Sequence, residues 1–365
     1  MKYQSQTGFT HAQADKIGVL VTNLGTPQAP TKQALKPYLK QFLSDPRVVE
    51  LPKLLWWFIL NGVILKLRPK RSAKAYKTVW SEQGSPLLVH TRNQAKGLAE
   101  RFTEGWGNEV IVDFAMRYGE PSINGAIENL LNSGARKIIV LPLYPQYCAS
   151  TTGSTFDAIA HDFLKRRWLP EFRFINQYVD HQPYIQCIAD SIKRHWETHD
   201  KPDKLLFSYH GIPKRYLLNG DPYHCQCHKT TRLVAQALGL QSDEYMTTFQ
   251  SRFGREEWLR PYMDETLKGF PSKGVKSVQV ICPGFSADCL ETIEEIGEEN
   301  REYFEENGGQ RYEYIECLNA SEDHLDMLFQ LLQSNMQGWQ VTNADDNEDK
   351  FNLRDKRAKE KGAKI

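Results

Sequence analysis

The stretches "GVLVTNLGTP" (18–27) and "LLFSYHGIP" (205–213) each run an apolar strand into Gly-x-Pro, at Gly25–Pro27 and at Gly211–Pro213. Glycine and proline so placed punctuate the end of a strand. Two more matched pairs follow in the same order. "FAMRYGE" (114–120) answers "FQSRFGR" (249–255), each with arginine, an aromatic ring and glycine. "RKIIVLPLYP" (136–145) answers "KSVQVICPGF" (276–285). Three landmarks in one order imply a doubled chain of two similar lobes.

Working outward, strand candidates fall at 16–25, 109–119, 136–145, 172–179, 203–211, 245–251, 275–284 and 311–319, separated by helix-patterned segments. Near-continuous apolar strands alternating with helices predict parallel sheets covered on both faces, an α/β architecture. The expected organisation is an N-terminal extension (1–15), a first lobe (16–180), a second lobe (181–340) and a charged, unstructured tail (341–365).

The lobes differ in length. From Gly25 to Gly119 is 94 residues, against 43 from Gly211 to Gly254. The surplus holds "LPKLLWWFILNGVILKLRPKRSAK" (51–74), whose run Leu54–Leu67 is apolar apart from Asn61, Gly62 and Lys66. It is shorter than the roughly 20 residues that span a bilayer. Two readings stand: a buried core helix, or an exposed apolar lip at a substrate mouth or a membrane surface. Trp56, Trp57 and the flanking Lys53, Lys66, Arg68, Lys70, Arg71 and Lys74 suit the lip.

Composition narrows the function classes. With 365 residues, 25% charged and a net charge of +1, the chain has no global electrostatic case for nucleic acid. Seven cysteines at irregular spacing do not make a disulfide framework, and a reducing cytoplasm is the expected location. The first residues lack the apolar segment of a secretory signal. Nothing in the sequence assigns an oligomeric state.

Ligands of open parallel sheets sit beyond the carboxyl ends of the strands. Four motifs fall there: "NLGTP", "YPQYCASTTGST", "SYHGIP" and "CPGFSADCLETIEE". His210 ends its strand directly before Gly211, where imidazole serves as a proton acceptor or a ligand for divalent iron. Downstream, eight glutamates lie between Glu291 and Glu306. At 100° per residue they occupy an arc of about 140°, the wet face of an amphipathic helix. Glu302, Glu305 and Glu306 are read as solvated. Glu291 lies in the first turn, at the expected cleft, and Glu295 and Glu299 continue from it at i+4 and i+8, with Asp288 just before. Crowded carboxylates repel, which favours a bound cation or proton. The run "STTGST" (150–155) could be an anion nest or a helix cap, and "YHCQCHK" gathers His224, Cys225, Cys227 and His228 without a second pair at structural-zinc spacing.

The motifs "LGTP", "RYGEPSI", "LPLYPQYCASTTGS", "FSYHGIPKRYLLNGDPY", "TFQSRFGREEWLRPYMDETL" and "CPGFSADCLETIEEIGEENREYF" together make the chain resemble the ferrochelatases, from about residue 16 to 319. The resemblance implies two Rossmann-like lobes around a porphyrin cleft, and insertion of Fe²⁺ into protoporphyrin IX with release of two protons. It carries the central catalytic and metal-handling pair over to His210 and Glu291, and a metal or proton path to Asp288, Glu295 and Glu299. It places Leu24, Arg117, Tyr118 and Trp258 at the porphyrin, Trp258 near His210. Leu24 stands where some relatives have a metal-side tyrosine, so no ligand is expected there. No tightly bound cofactor is implied: Fe²⁺ is a substrate. A [2Fe-2S] cluster is not expected, since no cysteine follows Cys317 and Ala149 holds an internal ligand position beside Cys148. A cobalt-inserting chelatase and a non-catalytic tetrapyrrole carrier are the rival readings. Peripheral contact of 51–74 with the cytoplasmic face of a membrane is the remaining partner expectation.

Overall fold

The computed structural model describes residues 3–6, 9–254, 256–339 and 348–363. All eight expected strands are present, with trimmed ends: β1 Lys16–Gly25, β2 Val110–Tyr118, β3 Ala135–Pro142, β4 Glu171–Phe174, β5 Lys204–His210, β6 Tyr245–Gln250, β7 Ser277–Ile281 and β8 Arg311–Ile315. They form two four-stranded parallel sheets, ordered β2-β1-β3-β4 and β6-β5-β7-β8. Since β5 answers β1 and β6 answers β2, the two orders are identical. The loops that leave the Arg–aromatic–Gly motifs also fold back alike: the Met116 amide donates to the Pro121 carbonyl at 2.7 Å, and the Phe249 amide to the Pro261 carbonyl at 2.9 Å.

The strands are buried because both faces of each sheet are covered. One continuous apolar core spans the lobes, joining Val19 and Ile139 of the first sheet to Leu205, Phe207 and Ile281 of the second. Separate outer cores close each lobe, one around Leu20, Ile127 and Ile138, the other around Leu206, Val278 and Phe304. Polar straps hold the carboxyl ends of the sheets together. The fully buried Gln94, on helix Pro86–Trp106, donates through Nε2 to the carbonyls of Ser286 and Asn319, both at 2.9 Å. The Tyr147 amide donates to Gln226 Oε1 at 2.7 Å. The strand ends of both lobes therefore meet where the cleft is expected.

The segment 51–74 buries Leu60 and Leu65 and exposes much of the rest. Helix Lys53–Ile59, a π-helical turn Leu60–Ile64 and helix Leu65–Val79 carry Leu54 (73% exposed), Phe58 (60%) and Leu67 (70%) into solvent. The paired tryptophans divide. Trp56 turns inward and donates from Nε1 to the Leu43 carbonyl at 2.5 Å, whereas Trp57 is exposed. No helix among the described residues is long and apolar enough to cross a membrane.

The expected unstructured tail differs. Residues 341–347 lie outside the described residues, but Glu348–Glu360 is a helix. It is held by Arg354, which donates to the carbonyls of His11 and Gln13 and pairs with Asp15 at 3.2 Å. Charge excluded a core role for this segment, but not docking through one arginine.

Candidate active site

His210 closes β5, half-buried, at the carboxyl end of the sheet. Its Nδ1 lies 2.7 Å from the Gly211 carbonyl oxygen. A carbonyl only accepts, so Nδ1 carries the hydrogen and the neutral ring keeps a bare lone pair on Nε2. The turn is tight for a reason: a Cβ on Gly211 would stand 2.7 Å from the Gln250 carbonyl oxygen and 3.1 Å from the Trp258 ring. Trp258 thus packs on the His210–Gly211 turn as expected. It is buried, and its Nε1 has no partner among the described residues.

Gln250 links this turn to the glutamates. It pairs with His210 in the β5–β6 register, and its Nε2 donates to the Glu291 carbonyl at 3.3 Å. Glu291 opens the next element, half-buried. That element is not the α-helix the arc assumed. Glu291–Glu299 is a π-helix, followed by α-helix Asn300–Glu306. The wider turn persists because its carbonyls find other donors. Asn300 Nδ2 donates to the Glu295 carbonyl at 2.7 Å, and the Tyr312 hydroxyl to the Ile296 carbonyl at 2.6 Å. Such helices are rare and gather at functional sites.

The wider turn breaks up the expected carboxylate row. Glu295 turns aside to Ser251, whose amide donates to its Oε1 at 2.7 Å and whose hydroxyl donates to its Oε2. Ser251 holds φ at 64°, a left-handed conformation uncommon for a residue with a side chain. Burial, opposed by these hydrogen bonds and reinforced by the Glu291 charge, pushes Glu295 up to about 7. Glu299 is exposed and accepts from the Tyr303 hydroxyl at 2.5 Å. Glu302, Glu305 and Glu306 are exposed, as the arc predicts.

Asp288 does not face an open path. Buried, it accepts from Thr292 Oγ1 at 2.8 Å, the Tyr314 hydroxyl at 2.6 Å and Asn319 Nδ2 at 2.7 Å. Three donors make it the brace that fixes the entry to the π-helix. Tyr118 also departs from expectation: it is fully buried, and its hydroxyl donates to Asp45 Oδ2 at 2.8 Å. Arg117 Nη2 (2.6 Å) and the Ser154 hydroxyl (2.6 Å) donate to the same oxygen. Tyr118 therefore holds the loop beneath the cleft and cannot lie against a bound ring. Leu24 is half-buried in the cluster that joins Leu87, Ala287 and Cys289 across the lobes.

Three neighbours of Glu291 escaped the sequence reading: Tyr38, Tyr76 and Arg68, all from the first lobe. Burial first, and then the Glu291 charge among its neighbours, raises the pKa of both phenols, so they remain neutral hydrogen-bond donors. The Arg68 guanidinium, lowered by burial, lies 5.6 Å from the Phe253 ring across the cleft. Only Arg68 carried a signal, as one of the basic residues flanking the lip.

The cysteine candidates divide between surface and interior. Cys225 is exposed and Cys227 fully buried, two residues apart on helix Tyr223–Leu238. Burial pushes the Cys148 thiol up to about 12 and Cys227 well above its ordinary value.

Comparison with known proteins gives the family and the fold. A family model described as Ferrochelatase matches residues 16–336. The ferrochelatase of Idiomarina loihiensis is 67% identical over 341 residues, 93% of this chain and 94% of that one. That of Pseudoalteromonas atlantica is 64% identical over 340 residues, with 93% and 94% covered. In fold, the chain is similar to SirB from Bacillus subtilis with Fe3+, at a TM-score of 0.50 and 12% identity, covering 91% of this chain and 98% of SirB.

Proposed function

The chain belongs to the ferrochelatase family, and from that premise we propose that His210 and Glu291 carry out its reaction, the insertion of ferrous iron into protoporphyrin IX to form protoheme. The reaction removes two pyrrole N–H protons and strips water from the metal. A planar ring hides its nitrogens, so the cleft must favour a distorted ring with lone pairs tilted out.

The observation that carries the assignment is the locked tautomer of His210. With Nδ1–H committed to the Gly211 carbonyl, Nε2 is a ready base at the carboxyl end of β5. Gln250 ties the first turn of the π-helix to the same turn, so Glu291 stands as the second basic group or the iron-holding carboxylate. Two groups acting on one site titrate as a pair, and the division of labour between them is shared. Glu295, raised to about 7 chiefly by burial, suits onward proton transfer to solvent past the exposed Glu299. Trp258, Leu24 and Arg117 remain the ring-side candidates, with Tyr38, Tyr76 and Arg68 facing Glu291 from the other lobe. A mere ring carrier needs no base so prepared, and for that reason catalysis is preferred.

The reading extends to location. Exposed Leu54, Trp57, Phe58 and Leu67, beside exposed Lys53, Lys66, Lys70 and Arg71, form an apolar wedge with a cationic fringe suited to the anionic cytoplasmic face of a membrane. The protein is read as cytoplasmic and docked there peripherally, with no tightly bound cofactor.

The test is anaerobic insertion of Fe²⁺ into protoporphyrin IX by the wild type, His210→Ala and Glu291→Gln, with folding followed by circular dichroism. Turnover lost in both folded variants is the expected result. Turnover that survives both changes would move the centre elsewhere.

A further inference from the structure

The second lobe holds a cluster that the cleft chemistry does not use. His195, on helix Gln182–Trp196, His199 just beyond its end, and Glu313 on β8 place one ligand atom each within 4.8 Å of one another. The same helix touches the cleft end through the Tyr184 hydroxyl, which donates to the Pro283 carbonyl at 2.6 Å. His195 lies roughly 16 Å further along the helix axis, towards the opposite end of the sheet. We propose that His195, His199 and Glu313 bind a divalent first-row transition cation of the zinc or cobalt type, clipping the helix end to the edge strand β8 at a site separate from the cleft.

The distances fit. His195 Nε2 and Glu313 Oε2 are 3.4 Å apart. Bonds of ~2.0–2.1 Å at tetrahedral angles put two ligand atoms about 3.3 Å from each other, so this pair already spans one edge. The rings of His195 and His199 stack with centroids 4.0 Å apart and planes 2° from parallel, the two presenting one face at i, i+4. His199 Nδ1 is taken up locally, 2.9 Å from Thr198 Oγ1 and 3.1 Å from the His195 carbonyl oxygen, which leaves Nε2 for a metal. His199 is exposed and can close the remaining gap. Two imidazoles and a carboxylate, with a position open to water, match the donors of zinc and related ions.

A second tier of bonds holds the carboxylate. Gln279, fully buried on β7, donates from Nε2 to Glu313 Oε2 at 2.5 Å and to the Asp200 carbonyl at 3.1 Å. Its own amide is oriented by Trp196 Nε1, which donates to Oε1 at 2.7 Å. Arg311 sits beside the other Glu313 oxygen, 4.0 Å from Oε1.

The doubled fold supplies an internal control. Gln279 pairs with Glu313 where, in the first lobe, Ile139 pairs with Arg173. There the buried position is apolar, and the arginine donates to the carbonyls of Asn335 and Gln337. The architecture does not require a buried amide at this place. The second lobe has one, and it aims a carboxylate at two histidines.

The experiment uses Co²⁺ as the probe, added to the metal-free full chain carrying His210→Ala, which removes the substrate-iron histidine. Equilibrium dialysis and the visible ligand-field spectrum are compared with chains that also carry His199→Ala or Glu313→Gln. One equivalent of Co²⁺ with the intense bands of a tetrahedral ion is expected in the parent, with at least about tenfold weaker binding in both further variants. His199 is exposed, so that change leaves the far-ultraviolet circular dichroism unaltered. Iron insertion by His199→Ala alone, with His210 intact, stays at the wild-type rate. Co²⁺ binding unaffected by either change, or no binding by the parent, overturns the proposal and leaves a hydrogen-bonded His–Glu network, without touching the assignment of His210 and Glu291.

Discussion

Glu295→Gln should make the protein more stable and the enzyme slower, and the gain in stability should depend on pH. Glu295 is raised from an ordinary 4.5 to about 7, chiefly by burial. A folded-state pKa above the unfolded one means that the folded chain binds more protons between those values. The contribution of Glu295 to stability is therefore fully present below pH 4.5 and is lost as pH rises through 7. Each pH unit inside that window costs about 1.4 kcal/mol. Integration gives a penalty of about 1 kcal/mol at pH 5, rising to about 3 kcal/mol at pH 8. Glutamine keeps the bonds that matter, because its Oε1 still accepts from the Ser251 amide and its Nε2 can donate to the hydroxyl, but it carries no charge to bury. At about 2.1 cal/mol/K per residue, 3 kcal/mol corresponds to a midpoint rise of about 4 °C for a chain of this size. The assay is thermal unfolding of both proteins from pH 5 to pH 8. A variant midpoint that moves parallel to the wild type across that range would refute the reasoning, since a group without a shifted pKa has no pH-dependent penalty to remove. Slower insertion by the same variant would place the destabilising charge in the proton path.

Two other perturbations test the surroundings. Trp57→Ser with Phe58→Ser should weaken binding to anionic vesicles in a flotation assay and leave unfolding unchanged, because both side chains are exposed. Trp56→Ser should lower stability instead, by about 3 kcal/mol, since its ring packs inward and its Nε1 is bonded to Leu43. Equal effects of the two changes on vesicle binding would contradict the lip geometry. Gly211→Ala should cost activity more than substrate affinity, because the new Cβ meets the Gln250 carbonyl at 2.7 Å and displaces the oxygen-bearing peptide that sets the His210 tautomer. Unchanged kcat in that variant would remove the tautomer lock from the mechanism.

The repeat was legible because strand runs and Gly-x-Pro turns are local signals, and both lobes kept them in order. The exposed fate of Glu302, Glu305 and Glu306 was legible for the same reason: beyond Asn300 the helix is α and the assumed period is right. Between Glu291 and Glu299 the period fails. A π-turn is stabilised by partners outside it, Asn300 at its end and Tyr312 on a neighbouring strand, and no window of sequence shows them pairing. Trp56 and Trp57 read alike in sequence and were separated only by the Leu43 carbonyl, 13 residues upstream of Trp56. Tyr118 and Arg117 were expected at the ring from the resemblance, without a local signal for where the side chains turn. The contact that draws Tyr118 inward, Asp45, belongs to the long surplus of the first lobe, which has no counterpart to compare.

That surplus also explains how a doubled fold yields one site. Each lobe places a π-helix directly after its third strand, Ala149–Gly153 after β3 and Glu291–Glu299 after β7. The geometry that presents a side chain at a widened first turn is therefore common to both. The chemistry is not: Leu24 stands where the second lobe has His210, and the first π-helix carries Ser150, Thr151 and Thr152 instead of carboxylates. Two copies of the acid–base pair facing one another would add like charges inside a single cleft, each raising the pKa of the other. The first lobe instead supplies neutral phenols at Tyr38 and Tyr76 and the cation of Arg68, carried towards Glu291 by the helices between β1 and β2. On the proposed mechanism, protons leave by way of the second lobe while the first grips the ring. A face that accepts protons and a face that only packs are what insertion of one metal from one side of a macrocycle requires.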